Sequence, residues 1–124
     1  MRNIIFLLFL LIKVSSYSQE KKCSDFKNGT FKYKNPAYKN FIVIRNGNLQ
    51  TEEDKSRKLL LEGSVQWVSE CQYILTYTKI NLPTLKNLIG QKVFVTINKI
   101  ENNKINCLSK MNDKSLDLEM IKIK

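Results

Sequence analysis

From Thr30 onward, apolar and polar residues alternate with a period of two, the pattern of a strand with one buried face. Thr30-Phe31-Lys32-Tyr33-Lys34 sets Phe31 and Tyr33 on one side and lysines on the other, and Pro36 interrupts. Phe41 to Arg45 is β-branched and aromatic. Asn46-Gly47 after it is a pair that tolerates positive φ and closes hairpins, so Asn48 to Glu52 reads as the returning strand. Glu53 to Lys58 is polar and reads as a loop, with one helical turn as the alternative because Thr51-x-x-Asp54 resembles a helix-starting box.

The next run is the clearest. Leu59, Leu61, Gly63, Val65 and Trp67 fall on one face, and Leu60, Glu62, Ser64 and Gln66 on the other. Gly63 marks a bend or bulge where a sheet curls. Cys71, Tyr73, Leu75 and Tyr77 share the following face. A three-residue turn between the two runs sets Trp67 opposite Cys71 and Val65 opposite Tyr73. Asn81 to Gly90 contains Pro83 and reads as a loop with a short helical turn near Leu85 to Leu88. Val93, Val95 and Ile97 begin a further strand, Asn102-Asn103 and Asn112-Asp113 mark two more turns, and Leu116, Leu118 and Met120 line the last strand.

About eight strands joined by short turns, without a long helical pattern, predict an all-β fold. A small antiparallel meander closed or half-open as a lipocalin-like barrel is the expected architecture, because closure removes exposed edges. A two-sheet sandwich is the alternative.

The amino terminus reads as an address. Met1-Arg2-Asn3 precedes an unbroken apolar run from Ile4 to Ile12, too short for a helix that needs about 20 residues to span a bilayer, and of h-region length. Ser16 and Ser18 put small side chains before a cut between Ser18 and Gln19. The expectation is a signal peptide over 1–18, a single β domain over 19–124, and a periplasmic or extracellular destination. Charged residues just ahead of Cys23 argue against a lipidated amino terminus.

Export implies an oxidising compartment, where three cysteines allow three single pairings. Cys23–Cys71 is the expected bridge, since it pins the start of the domain to the sheet. Cys107 then reads as a small buried hydrophobe.

Composition narrows the chemistry. The 124 residues carry a formal net charge of +10 and no histidine, so the commonest general base and metal ligand is missing. Of the 21 cations only Arg2, Arg45 and Arg57 are arginines, and the lysines are spread along the chain. A solvated lysine coat therefore fits better than specific nucleic-acid recognition. Glu52-Glu53-Asp54 is the densest acidic cluster and reads as a solvated loop, without the spacing of a calcium loop. Asp117 and Glu119 share a strand face and read as exposed, and Asn28-Gly29-Thr30 matches the N-glycosylation pattern. No catalytic residue, metal ligand or cofactor is implied.

The aromatic residues are the one candidate site. Phe31, Tyr33, Trp67, Tyr73 and Tyr77 all point inward in a curled sheet, where a barrel either fills itself or holds one small ligand.

The segments Cys23-Ser24-Asp25-Phe26-Lys27-Asn28-Gly29-Thr30-Phe31-Lys32-Tyr33 and Trp67-Val68-Ser69-Glu70-Cys71-Gln72-Tyr73-Ile74-Leu75-Thr76-Tyr77, with Ile89-Gly90 before a strand, resemble a group of small exported proteins of Bacteroidetes-type bacteria. The resemblance implies export and a compact β domain, and supplies no catalytic residue. Some members carry the label DNA topoisomerase IV. This chain is far too short for cleavage and ATPase domains, and a leader would send it away from the chromosome. The functional expectation is a non-enzymatic exported β domain that binds a small apolar ligand or an envelope partner; the alternative is a structural or interaction module with a filled core.

Overall fold

The computed structural model describes residues 20–124. The expected cut between Ser18 and Gln19, and the leader before it, lie outside the described residues. Eight antiparallel strands follow in chain order: β1 (Gly29–Tyr33), β2 (Phe41–Asn46), β3 (Leu49–Asp54), β4 (Leu59–Ser69), β5 (Gln72–Ile80), β6 (Lys92–Glu101), β7 (Lys104–Met111) and β8 (Lys114–Lys122). Each pairs with its sequence neighbours, and β1 pairs with β8, so the meander closes into a barrel. The sandwich alternative is excluded.

Turn chemistry explains the hairpins. Gly47, Asn102 and Asn112 all take positive φ, the conformation a tight two-residue connection demands and that Gly and Asn accept cheaply. Register then follows from the pairs Asn46↔Leu49, Glu101↔Lys104 and Met111↔Lys114. The β4–β5 connection differs from expectation. Ser69 pairs with Gln72 and Trp67 with Tyr73, leaving Val68 as an extra, exposed residue on β4. The turn falls at Glu70-Cys71, later than expected, and the bulge then brings Tyr73 rather than Ile74 opposite Trp67, so Trp67 faces Tyr73 rather than Cys71 and Val65 faces Leu75 rather than Tyr73. A second irregularity sits at Gly63, where a Cβ would meet Leu75 Cδ1 at 2.7 Å and the Thr76 carbonyl oxygen at 2.9 Å. Only glycine lets the two backbones approach so closely there.

The barrel has a closed end and an open one. At the closed end a 3₁₀ turn, Cys23–Phe26, lies beneath the strands with Phe26 fully buried. A Cys23–Cys71 disulfide, with Cα atoms 5.3 Å apart, fastens it to the β4–β5 turn. Lys122 Nζ donates to the Asp25 carbonyl at 2.7 Å and ties the same turn to β8. Phe26, Phe31, Val43, Val65, Ile97 and Ile105 pack above it in one apolar cluster. At the opposite end a 3₁₀ turn, Pro83–Leu88, leans Leu82, Leu85 and Leu88 on a smaller cluster of Leu59, Leu61 and Ile80. Among the described residues no helix is long and apolar enough to cross a membrane.

Candidate functional site

Strand β3 carries an inverted pattern. Leu49 faces outward and is 48% exposed, whereas Gln50, Glu52 and Asp54 point inward and are buried. The segment Glu52-Glu53-Asp54 is thus no solvated loop. β3 pairs with β2 on one side and β4 on the other as far as Asp54, and alternation forces Glu52 and Asp54 inside. Asp54 serves local structure: its carboxylate accepts from the Ser56 and Arg57 backbone N–H groups and from Arg57 Nε at 2.8 Å, capping the 3₁₀ turn Lys55–Arg57.

Gln50 and Glu52 belong to a polar chain inside the barrel. Arg45, at the end of β2, is 1% exposed. Its Nε donates to Gln50 Oε1 at 3.0 Å, Nη1 to the Phe26 carbonyl at 2.7 Å, and Nη2 to Tyr73 Oη at 2.9 Å. Its guanidinium also stacks between the rings of Phe31 and Tyr73, 4.9 and 4.7 Å from their centroids. Gln50 Nε2 passes the chain on to Glu52 Oε1 at 2.9 Å, and Tyr77 Oη reaches Glu52 Oε2 at 3.4 Å. Arg45 therefore spends its guanidinium fork on the closed end, and Glu52 stands at the far end of the chain.

Above this chain the barrel is hollow. The cavity holds about 390 Å³, near the lower end of the ~300–1,000 Å³ typical of small-molecule sites. Its wall is mostly apolar, with Leu75, Val93, Val95, Cys107, Leu118 and Met120, and its polar groups are Gln50, Glu52 and three tyrosines, with Ser109 and Ser115 on β7 and β8. Leu88, Met111 and Lys114 stand where the Pro83–Leu88 turn and the β7–β8 turn meet. A smaller hollow of about 140 Å³ shares Tyr33 and Glu52 and adds Tyr38 and Phe41. The rings of Tyr33, Tyr38 and Phe41 pack edge to face or tilted, with centroids 5.6 to 6.3 Å apart.

Burial governs the ionisation of this wall. Desolvation raises the Glu52 carboxyl above the usual glutamate range, against the opposing pull of its bonds to Gln50 and Tyr77 and the charge of Arg45. Desolvation likewise pushes the phenols of Tyr33, Tyr73 and Tyr77 upward, with the neighbouring Glu52 adding to the shift. The Cys107 thiol is pushed up to about 11 by burial.

Of the five aromatics expected to line a cavity, Tyr33, Tyr73 and Tyr77 stand in its wall. Phe31 and Trp67 do not. Phe31 is fully buried beneath the guanidinium of Arg45, in the packed end of the barrel. Trp67 is half-buried behind Tyr73, with ring centroids 4.7 Å apart and Lys27 Nζ 5.2 Å from the indole. Inward alternation gave both the right face but not the depth. Cys107 is buried and free. Asp117 is exposed, and Glu119 is partly exposed and pairs with Lys34 at 3.5 Å and Lys104 at 3.9 Å. Asn28 accepts a hydrogen bond from the Gly47 backbone N–H at 2.6 Å. Among the described residues no group of three or more His, Cys, Asp and Glu side chains is placed to hold a metal ion.

Arg45, Gln50 and Glu52 are the site residues that periodicity missed. Alternation alone would bury Leu49 and expose Gln50 and Glu52; the signal lies in the Asn46-Gly47 turn, whose register sets Gln50 opposite Arg45 and Glu52 opposite the buried Val43. No protein-family model, curated protein or solved structure matches the chain.

Proposed function

We propose that the protein is a non-enzymatic, exported carrier that takes one small, largely apolar molecule into its barrel. The observation that carries this reading is the 390 Å³ cavity, walled by aliphatic side chains and tyrosines, in a barrel that its own aromatics do not fill. The Cys23–Cys71 bridge suits an oxidising compartment and supports export together with the leader-like amino terminus. The absence of histidine from the whole chain supports the non-enzymatic reading.

Native mass spectrometry of the protein isolated from its own host tests the proposal, alongside titration of the purified protein with the uncharged dye N-phenylnaphthylamine. A mass excess that disappears on denaturation, or saturable dye fluorescence abolished by the cavity-filling substitution Val95→Trp in a still-folded protein, is the expected result. A bare mass together with no dye uptake overturns the carrier reading and leaves a structural or interaction module.

A further inference from the structure

The chemistry of the cavity wall narrows the ligand class, and the argument rests on the carrier reading above. Glu52 is the anionic side chain in that wall, and its carboxylate is under-used. An ionised carboxylate offers about four acceptor positions. Here Gln50 fills one at 2.9 Å and Tyr77 reaches another at 3.4 Å. No ion pair to Glu52 forms among the described residues, whose lysine and arginine partners are Asp54, Glu101 and Glu119. Arg45, the cation of the polar chain, directs each of its guanidinium nitrogens to Gln50, Phe26 or Tyr73 and does not line the cavity wall.

A buried carboxylate with no cation in contact with it is costly, and an arriving cation offsets that cost. Tyrosine faces add to the attraction, because the negative face of a ring favours a desolvated cation within about 6 Å of its centroid. Tyr33 and Tyr77 flank Glu52 in the wall, and Tyr38 and Phe41 close the adjoining hollow that Glu52 also faces. We infer that the molecule carried in the barrel is an organic amine, its ammonium group paired with Glu52 among Tyr33 and Tyr77 and its apolar body lying along Leu75, Val95 and Met120.

The competing chemistry is a carboxylic acid with its head at the mouth, beside Lys114. That orientation is weaker. Lys114 is exposed, so water screens its charge, and the acid's tail would be pressed against Glu52 without satisfying it. A neutral alcohol meets no such penalty but brings Glu52 one uncharged donor, against the charged N–H donors of an ammonium.

Three chain-matched probes separate these cases: decylamine, decanol and decanoate, each titrated by calorimetry into the full-length processed protein. Decylamine is expected to bind at least about ten-fold more tightly than either of the others. In Glu52→Gln that preference collapses while decanol affinity stays within about two-fold. The wild-type ranking decides the question even if the variant does not fold. Equal binding of all three probes overturns the amine assignment and leaves the carrier reading standing. Tightest binding by decanoate, lost in Lys114→Ala, overturns it in favour of an acid held at the mouth. No uptake of any probe, with a bare native mass, overturns both readings.

Discussion

Arg45 is the residue on which the closed end of the barrel depends, and Arg45→Met tests that dependence. Methionine retains most of the aliphatic stem and the buried volume, so the substitution removes the guanidinium with little cavity formation. Three acceptors lose their donor: the Phe26 carbonyl, Gln50 Oε1 and Tyr73 Oη. Each stranded buried group costs about 1–3 kcal/mol, and the stacking on Phe31 and Tyr73 is lost as well. Against this, the desolvated charge itself disappears, which returns part of the sum. The balance is a loss of about 3 kcal/mol. For a domain of this size that lowers Tm by more than about 10 °C. Trp67 is the built-in reporter, since it lies 4.7 Å from the Tyr73 ring that Arg45 holds. Guanidinium denaturation followed by tryptophan fluorescence measures the loss. Arg45→Lys is expected to recover only part of it, because an ammonium cannot serve Phe26, Gln50 and Tyr73 in one plane. A loss below about 1 kcal/mol in Arg45→Met would refute the claim that this clasp holds the end closed.

The other predictions concern separate parts of the barrel. Cys71→Ser opens a bridge spanning 48 residues of sequence and is expected to cost about 3–4 kcal/mol under oxidising conditions. Thermal melts of wild type and variant in reductant should then coincide, and a difference that persists there counts against the bridge as the cause. Gly63→Ala drives a methyl into Leu75 and the Thr76 backbone, and a loss of about 1–3 kcal/mol in urea is expected; an unchanged midpoint would show that the bulge relaxes freely. Glu52 sets a pH dependence of defined sign. Its folded-state pKa lies above the usual value, so its favourable contribution is complete below that value and is lost as pH rises through the folded pKa. As pH rises above the usual glutamate pKa, wild type should therefore lose stability relative to Glu52→Gln, with a slope of at most about 1.4 kcal/mol per pH unit, and parallel profiles would contradict the assignment.

The parts of this fold that local chemistry dictates are legible in the sequence. Asn46-Gly47, Asn102-Asn103 and Asn112-Asp113 each supply a residue that accepts positive φ, and each closes a hairpin. Gly63 sits at an irregularity for a reason visible in its neighbours. The Val68 bulge carried no such mark. A bulge moves the register by one residue without needing a glycine, so the pairing of Trp67 with Tyr73 is set by how the whole barrel closes. Depth was hidden for a related reason. Phe31 and Tyr33 occupy the same face of β1, yet one is locked under Arg45 and the other borders the cavity. What separates them is the 3₁₀ turn that brings Phe26 under one end of the barrel, a tertiary fact that no strand period contains.

The polar stripe on β3 carries the final step. A barrel of this size needs only apolar side chains at inward positions to be stable, and Leu at 52 would remove a desolvated carboxyl at nearly the same side-chain volume. Instead Gln50 and Glu52 keep a hydrogen-bonded row alive from the clasp at Arg45 to the cavity. The two charges stand at opposite ends of that row under different conditions. Arg45 is bonded by the protein itself through all three guanidinium nitrogens, whereas Glu52 faces empty space with one firm bond and one long one. The empty volume and the under-used acid coincide at the same wall. Under the proposed function, the stability withheld there returns on binding: a ligand ammonium fills the space, supplies the missing donor and stabilises the ionised form of Glu52. Linkage then requires that amine uptake release a proton where free Glu52 is protonated, and that the melting temperature rise with amine concentration. A protein whose Tm rises equally with decanol would hold its ligand by the apolar wall alone, and Glu52 would need another explanation.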